Sequence, residues 1–174
     1  MRWERGASAR ESRASIRYHS AVVRKENDGI WVTLKETIAA HYEDVFACLT
    51  TADGLTRWLT LAAEVDLRKG GTMKLGWDSK FRRSFEVPIL DYDAGGKVTW
   101  GWPVGLDDEA VPIEWVVTPE PEEGARVIHR HGPFLDNAEM ILVAANDAES
   151  WRWYMCNLRT VLEAKVDMRK ERPL

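Results

Sequence analysis

Residues 151–169 read WRWYMCNLRTVLEAKVDMR, and their spacing constrains the rest of the chain. Trp151, Tyr154, Leu158, Val161, Leu162 and Lys165 recur at steps of three, four and one, which gathers them on one face of an α-helix. Asn146 or Asp147 offers a side-chain oxygen to cap its first turn. A helix with so apolar a stripe must lay it on a partner layer.

The partner lies upstream. Val127, His129 and His131 share one face of an alternating segment, Ala125 to His131, opposite Arg126, Ile128 and Arg130. Ile113, Trp115 and Val117 alternate in the segment before it, with Glu120–Gly124 as a charged turn. Further back come Val98, Trp100 and Trp102, the turn Asp93-Ala94-Gly95-Gly96, and Phe85, Val87 and Ile89. Pro88 predicts an edge or a bulge in that last strand. Met73, Leu75 and Trp77 pair with Ala63, Val65 and Leu67 across Gly70–Gly71. Two short helices precede these strands, one with Tyr42, Val45, Phe46 and Leu49 inward, the other capped by Asp53 and carrying Leu55, Trp58 and Leu59. Before them, Ile30, Val32, Leu34 and Ile38 alternate with Thr33, Lys35 and Thr37. The expected order is strand, two short helices, six strands, long helix. Connections this short make the sheet antiparallel and the fold class α+β, with about seven strands.

The 174 residues suit one domain, and 45% hydrophobic with 30% charged residues describes a soluble globular chain. We expect residues 29–174 to form it and residues 1–28 to be a basic N-terminal arm, with Arg2, Arg5, Arg10, Arg13 and Arg17 against Glu4 and Glu11. A net charge of −4 argues against a nucleic-acid partner or an anionic membrane surface. No apolar run reaches the length of a membrane span, and no secretory signal is evident. Cys48 and Cys156 are too few for a disulfide framework and read as buried, inert thiols. A cytoplasmic location is the expectation.

The element order and its residues resemble the helix-grip superfamily of START-like lipid-transfer domains, birch-pollen-type allergens and polyketide cyclases. Within it, the chain looks most like the branch of the heat-shock-protein-90 ATPase activator. The supporting segments are Ile38-Ala39-Ala40 through Val45-Phe46, Leu49-Thr50, Leu55, Trp58-Leu59, the Val65–Gly71 hairpin and the closing Trp151–Arg169 stretch. The resemblance spans roughly residues 30–169 and leaves the arm and the Gly132–Asn146 loop without a counterpart. It implies a curved antiparallel sheet around the C-terminal helix, with a cavity between them that relatives use for apolar molecules. It also implies two alternatives, a module that contacts a chaperone and a cyclase-like enzyme using a cavity histidine.

The chain has nine tryptophans against four tyrosines and four phenylalanines. Alternation aims Trp77, Trp100, Trp102 and Trp115 at the inner face of the sheet, and Trp151 at it from the helix. With Phe134, Tyr154, His129 and His131 they form the candidate ligand-binding set, suited to a small apolar or aromatic molecule. Trp3, Trp31, Trp58 and Trp153 are expected at the surface or rim. His129 and His131 are spaced to hold a metal or shuttle protons, but no Asp, Glu or Cys in an adjacent motif completes a site, so neither metal nor cofactor is assigned. Among the nearby carboxylates Asp78, Glu86, Asp91 and Glu114, alternation turns Glu86 and Glu114 outward, which leaves no acid–base pair. The leading expectation is a non-catalytic binding domain for a small apolar ligand, with a chaperone or other protein partner and a homodimer as further expectations.

Overall fold

The computed structural model describes residues 22–104, 109–121 and 124–171. Its elements run β1 Val23–Glu26, β2 Gly29–Ile38, α1 Tyr42–Thr50, α2 Ala52–Trp58, β3 Ala62–Val65, β4 Thr72–Gly76, β5 Ser84–Asp93, β6 Lys97–Val104, β7 Glu109–Glu120, β8 Gly124–Phe134, α3 Ala138–Glu163 and α4 Met168–Glu171. All the strands join one antiparallel sheet in the order β1-β2-β8-β7-β6-β5-β4-β3. This is the expected α+β helix-grip architecture, with eight strands where about seven were expected. The added strand is β1, inside the segment read as a basic arm, where Val23 pairs with Val32 and Arg24 with Trp31. Residues 1–21 of that arm lie outside the described residues.

The apolar faces meet as the periodicities require. From α3, Ala144, Ala148, Trp151, Met155, Leu158, Val161 and Leu162 are buried in one core with the sheet's Val32, Leu34, Val98, Trp100, Ile113, Trp115 and Val127. Along β8, Val127, His129 and His131 are buried while Arg126 is exposed and Ile128 and Arg130 are half-buried.

Two boundaries differ from the sequence expectation. The long helix starts at Ala138, so most of the expected Gly132–Asn146 loop is helical. Its cap is Asn137, whose side chain accepts from the Met140 N–H at 2.9 Å, rather than Asn146 or Asp147. Good helix formers carry the first turns, but only Ala144 among them is buried, so the amphipathic signal there is weak. The second helix is capped by Thr51, whose hydroxyl accepts from the Gly54 N–H at 3.0 Å, with Asp53 in its first turn. Pro88, expected at an edge or a bulge, lies on an interior strand beside a bulge-type register shift, the second of those alternatives. There β5 changes partner: Ser84–Pro88 pairs with β4 and Ile89–Asp93 pairs with β6, with a register shift between Ile89 and Asp91. Proline lacks the N–H that a continuous ladder would use, so it fits at the change-over.

That change-over opens a wedge. Gly101–Val104 of β6 pairs with β7, and Ser84–Pro88 of β5 pairs with β4, with no ladder between the two segments. Aromatic rings occupy the gap: Phe85 stacks on Trp77 at 4.9 Å between centroids and meets Trp102 edge-on at 5.1 Å.

Candidate functional site

Strand register assembles the interior. His129 is flanked by Leu34 of β2 and Trp115 of β7, His131 by Val32 and Ile113, and Trp100 of β6 pairs with Ile113. Because all lie on the inner face, α3 closes over them. Trp151 packs on Trp115 at 5.5 Å, on His129 at 5.0 Å and on Trp102 at 4.9 Å. Trp115 meets His129 edge-on at 4.5 Å, and His131 lies 4.7 Å from Phe134.

Trp100, Trp115, His129 and His131 have 0% exposure, Phe134 1% and Trp151 3%. No water-sized space touches the first four. The expected aromatic lining is therefore a packed interior at these positions, its rings filling one another's concavities rather than bordering an open cavity. The remaining three candidates, Trp77, Trp102 and Tyr154, are half-buried. Two of them, Trp77 and Tyr154, border an opening of about 290 Å3 with Leu59, Thr60, Leu61, Arg83 and Arg169. Ring contacts run inward from it, from Trp77 through Phe85 and Trp102 to Trp151. A larger groove of about 590 Å3 along Ala39–Glu43, Pro119, Glu120 and Gly124 is wide open and contains none of the candidate residues.

The packed interior keeps an unpaired polar core. Among the described residues, Trp100 Nε1, Trp115 Nε1, both ring nitrogens of His129 and His131 Nε2 are buried without a hydrogen-bond partner. Each such atom costs roughly 1–3 kcal/mol in an otherwise satisfied fold, and native interiors rarely gather several in one place. His131 Nδ1 alone is engaged, 2.8 Å from Asp147 Oδ2 on α3. Burial above all, with His131 and the charge of Arg152, holds the His129 imidazole well below its usual range, so it is neutral at pH 7.

Asp147 is the residue that sequence reasoning missed in this role, having been read as a helix cap. The signal was present: Asp147 lies four residues before Trp151, so a helix extended upstream places both on one face. Trp58 is a second correction. Expected at the rim, it is fully buried, donates Nε1–H to the Cys48 carbonyl at 2.8 Å and meets Trp115 edge-on. Its partners Leu55 and Leu59 on the same short helix already pointed inward. Trp31 and Trp153 are half-buried, and the Arg130 guanidinium lies over the Trp31 ring on the outer face of the sheet. Trp3 lies outside the described residues.

The other candidates are accounted for by local structure. Asp78 accepts the N–H groups of Lys80, Arg82 and Arg83 and so holds the turn after β4. Asp91 pairs with Lys69 and Glu114 with Lys97, while Glu86 is exposed. Cys48 is buried, and burial above all pushes its thiol up against the opposing pull of Arg57. Cys156 is half-buried rather than buried. No helix among the described residues is long and apolar enough to cross a membrane.

Comparison with known proteins agrees with this architecture. A protein of known structure from Staphylococcus saprophyticus superposes with a TM-score of 0.66 at 17% identity, covering 79% of this chain and 94% of its own. An Aha1 dimer from Colwellia psychrerythraea superposes at 0.62 and 18% identity, covering 76% and 96%. An AHSA1-like protein from Aeromonas hydrophila gives 0.59 and 18%, covering 78% and 93%. At these identities the likeness establishes the fold alone. No curated protein matches the chain by sequence. Residues 39–163 match the model of the family described as Activator of Hsp90 ATPase homolog 1-like protein, and the match takes in α1 through α3. The chain belongs to the Activator of Hsp90 ATPase homolog 1-like family.

Proposed function

We propose that the domain binds a small, flat apolar molecule carrying an acidic group, seated at the opening beside Trp77 and Tyr154. The observation that carries this reading is the opening itself. It is about 290 Å3, close to the lower end of ligand-sized pockets, and it combines two aromatic side chains with the Arg83 guanidinium, the guanidinium of Arg169 beside it being held by Asp167. The Trp77 and Tyr154 rings offer apolar area to a planar molecule. Arg83 is exposed beside them, and a planar guanidinium suits a carboxylate. Phe85, stacked on Trp77 at 4.9 Å, holds that ring in place at the edge of the opening. The buried tryptophans then support the site from behind.

Tryptophan fluorescence tests this directly, titrating aromatic carboxylates, fatty acids and neutral sterols into the protein. The expected result is saturable quenching by the aromatic acids, weakened at least tenfold in Trp77→Ala and in Arg83→Ala. Both side chains are partly exposed, so neither substitution empties the core. No saturable change with any probe, or quenching unaltered in both variants, overturns the reading.

A further inference from the structure

His129 and His131 project from β8 toward α3 in a space with no solvent contact, yet among the described residues three of their four ring nitrogens have no hydrogen-bond partner. Asp147 meets them from the helix, with its carboxylate already on His131 Nδ1 at 2.8 Å. We propose that His129, His131 and Asp147 form a binding site for a divalent first-row transition-metal ion, zinc being the simplest occupant.

One ligating atom from each of the three lies within 4.8 Å of the other two. Zinc bonds of about 2.0–2.2 Å place tetrahedral donors roughly 3.4 Å apart, so modest side-chain rotations close the set. A bare ion needs less room than a water molecule, which distinguishes it from ordered water as the missing partner. Two imidazoles and one carboxylate suit zinc, iron(II) or cobalt(II), whereas calcium and magnesium take oxygen donors. Three protein donors leave the fourth tetrahedral position to a water on the Asp147 side, where the carboxylate reaches solvent. The carboxylate supplies the negative charge the ion needs. The nearby cation, Arg152, is engaged by Glu36 at 3.4 Å, which moderates its repulsion. Access comes from the Asp147 side, where the carboxylate keeps 12% of its side-chain surface. Coordination there would clamp the middle of α3 to β8. This inference does not depend on the ligand proposed at the Trp77 opening.

The test uses the full chain without a histidine tag, stripped with chelator, desalted and titrated with zinc chloride in a calorimeter. One ion per chain is expected. Asp147→Asn, which keeps the side chain's shape, is expected to weaken binding at least tenfold, the double change His129→Ala with His131→Ala to abolish it, and His41→Ala to leave it unchanged. Cobalt(II) added to the unaltered protein is expected to give the intense visible bands of a four-coordinate site, a readout independent of whether the histidine variants fold. Absence of those bands together with absence of saturable zinc binding overturns the proposal. Zinc binding that Asp147→Asn and His41→Ala leave equally intact overturns the assignment of Asp147.

Discussion

Arg169 divides one guanidinium among partners on two parts of the fold. It donates to the Thr60 carbonyl at 2.7 Å and the Thr56 carbonyl at 2.8 Å, and holds both oxygens of Asp167 at 2.9 and 2.8 Å. The buried Asn157 completes the clasp, donating to the Trp58 carbonyl at 2.8 Å and accepting the Met168 N–H at 2.7 Å. Burial alone would raise the Asp167 carboxyl, but the Arg169 side chain and N–H and the Asn157 amide outweigh it, and the net shift is downward. A carboxyl depressed in the folded state stabilises the fold above its unfolded value, about 3.9, and loses that contribution as pH falls through the folded value. Acid titration of thermal stability should therefore show the unaltered protein losing its advantage over Asp167→Asn below about pH 4, with the advantage constant at neutral pH. A constant difference down to the acid limit would count against this linkage. None of the clasp was legible in the sequence, because its members are separated by about a hundred residues and nothing local marks them. The inward pair His129 and His131 was legible, since strand alternation alone fixes their face; Asp147 was not, because the start of its helix was placed too late.

The short helices show what element-scale patterns carry and what they miss. Tyr42, Val45, Phe46 and Leu49 foretold α1, and Leu55, Trp58 and Leu59 foretold α2, because helical spacing survives even in nine or seven residues. How closely the two approach was not legible. A Cβ placed on Gly54 would lie 2.0 Å from the Ala47 carbonyl oxygen and 2.6 Å from the Cys48 Cα, both backbone atoms that cannot swing aside. Gly54→Ala must push α2 away from α1, and Trp58 rides on α2. We expect a loss of roughly 2 kcal/mol or more, read by denaturant unfolding, and a change in near-ultraviolet circular dichroism as the Trp58 ring shifts against Trp115. A loss below about 0.5 kcal/mol would mean the helices have slack between them. Strand existence was equally legible, while the short β1 was hidden because only Val23 of its four residues is even half-buried.

Across the whole molecule, stability is distributed unevenly. The β2-β8-β7-β6 ladders run long and lie under α3, whereas β3 and β4 are four and five residues long and reach the rest of the sheet through the first half of β5. Native-state hydrogen exchange should resolve two units. Amides of β3, β4 and Ser84–Val87 are expected to exchange at lower opening free energy than those of β8 and β7; equal protection throughout would show a single cooperative sheet. The sequence announced Pro88 as an interruption but not its consequence, which depends on which strands flank it. Where β5 changes neighbours, backbone hydrogen bonding gives way to side-chain contact among Trp77, Phe85 and Trp102. The wing formed by β3 and β4 is therefore joined to the rest of the sheet by those rings and by the backbone bonds of Gly70 and Gly71 to Ile89, both at 2.8 Å.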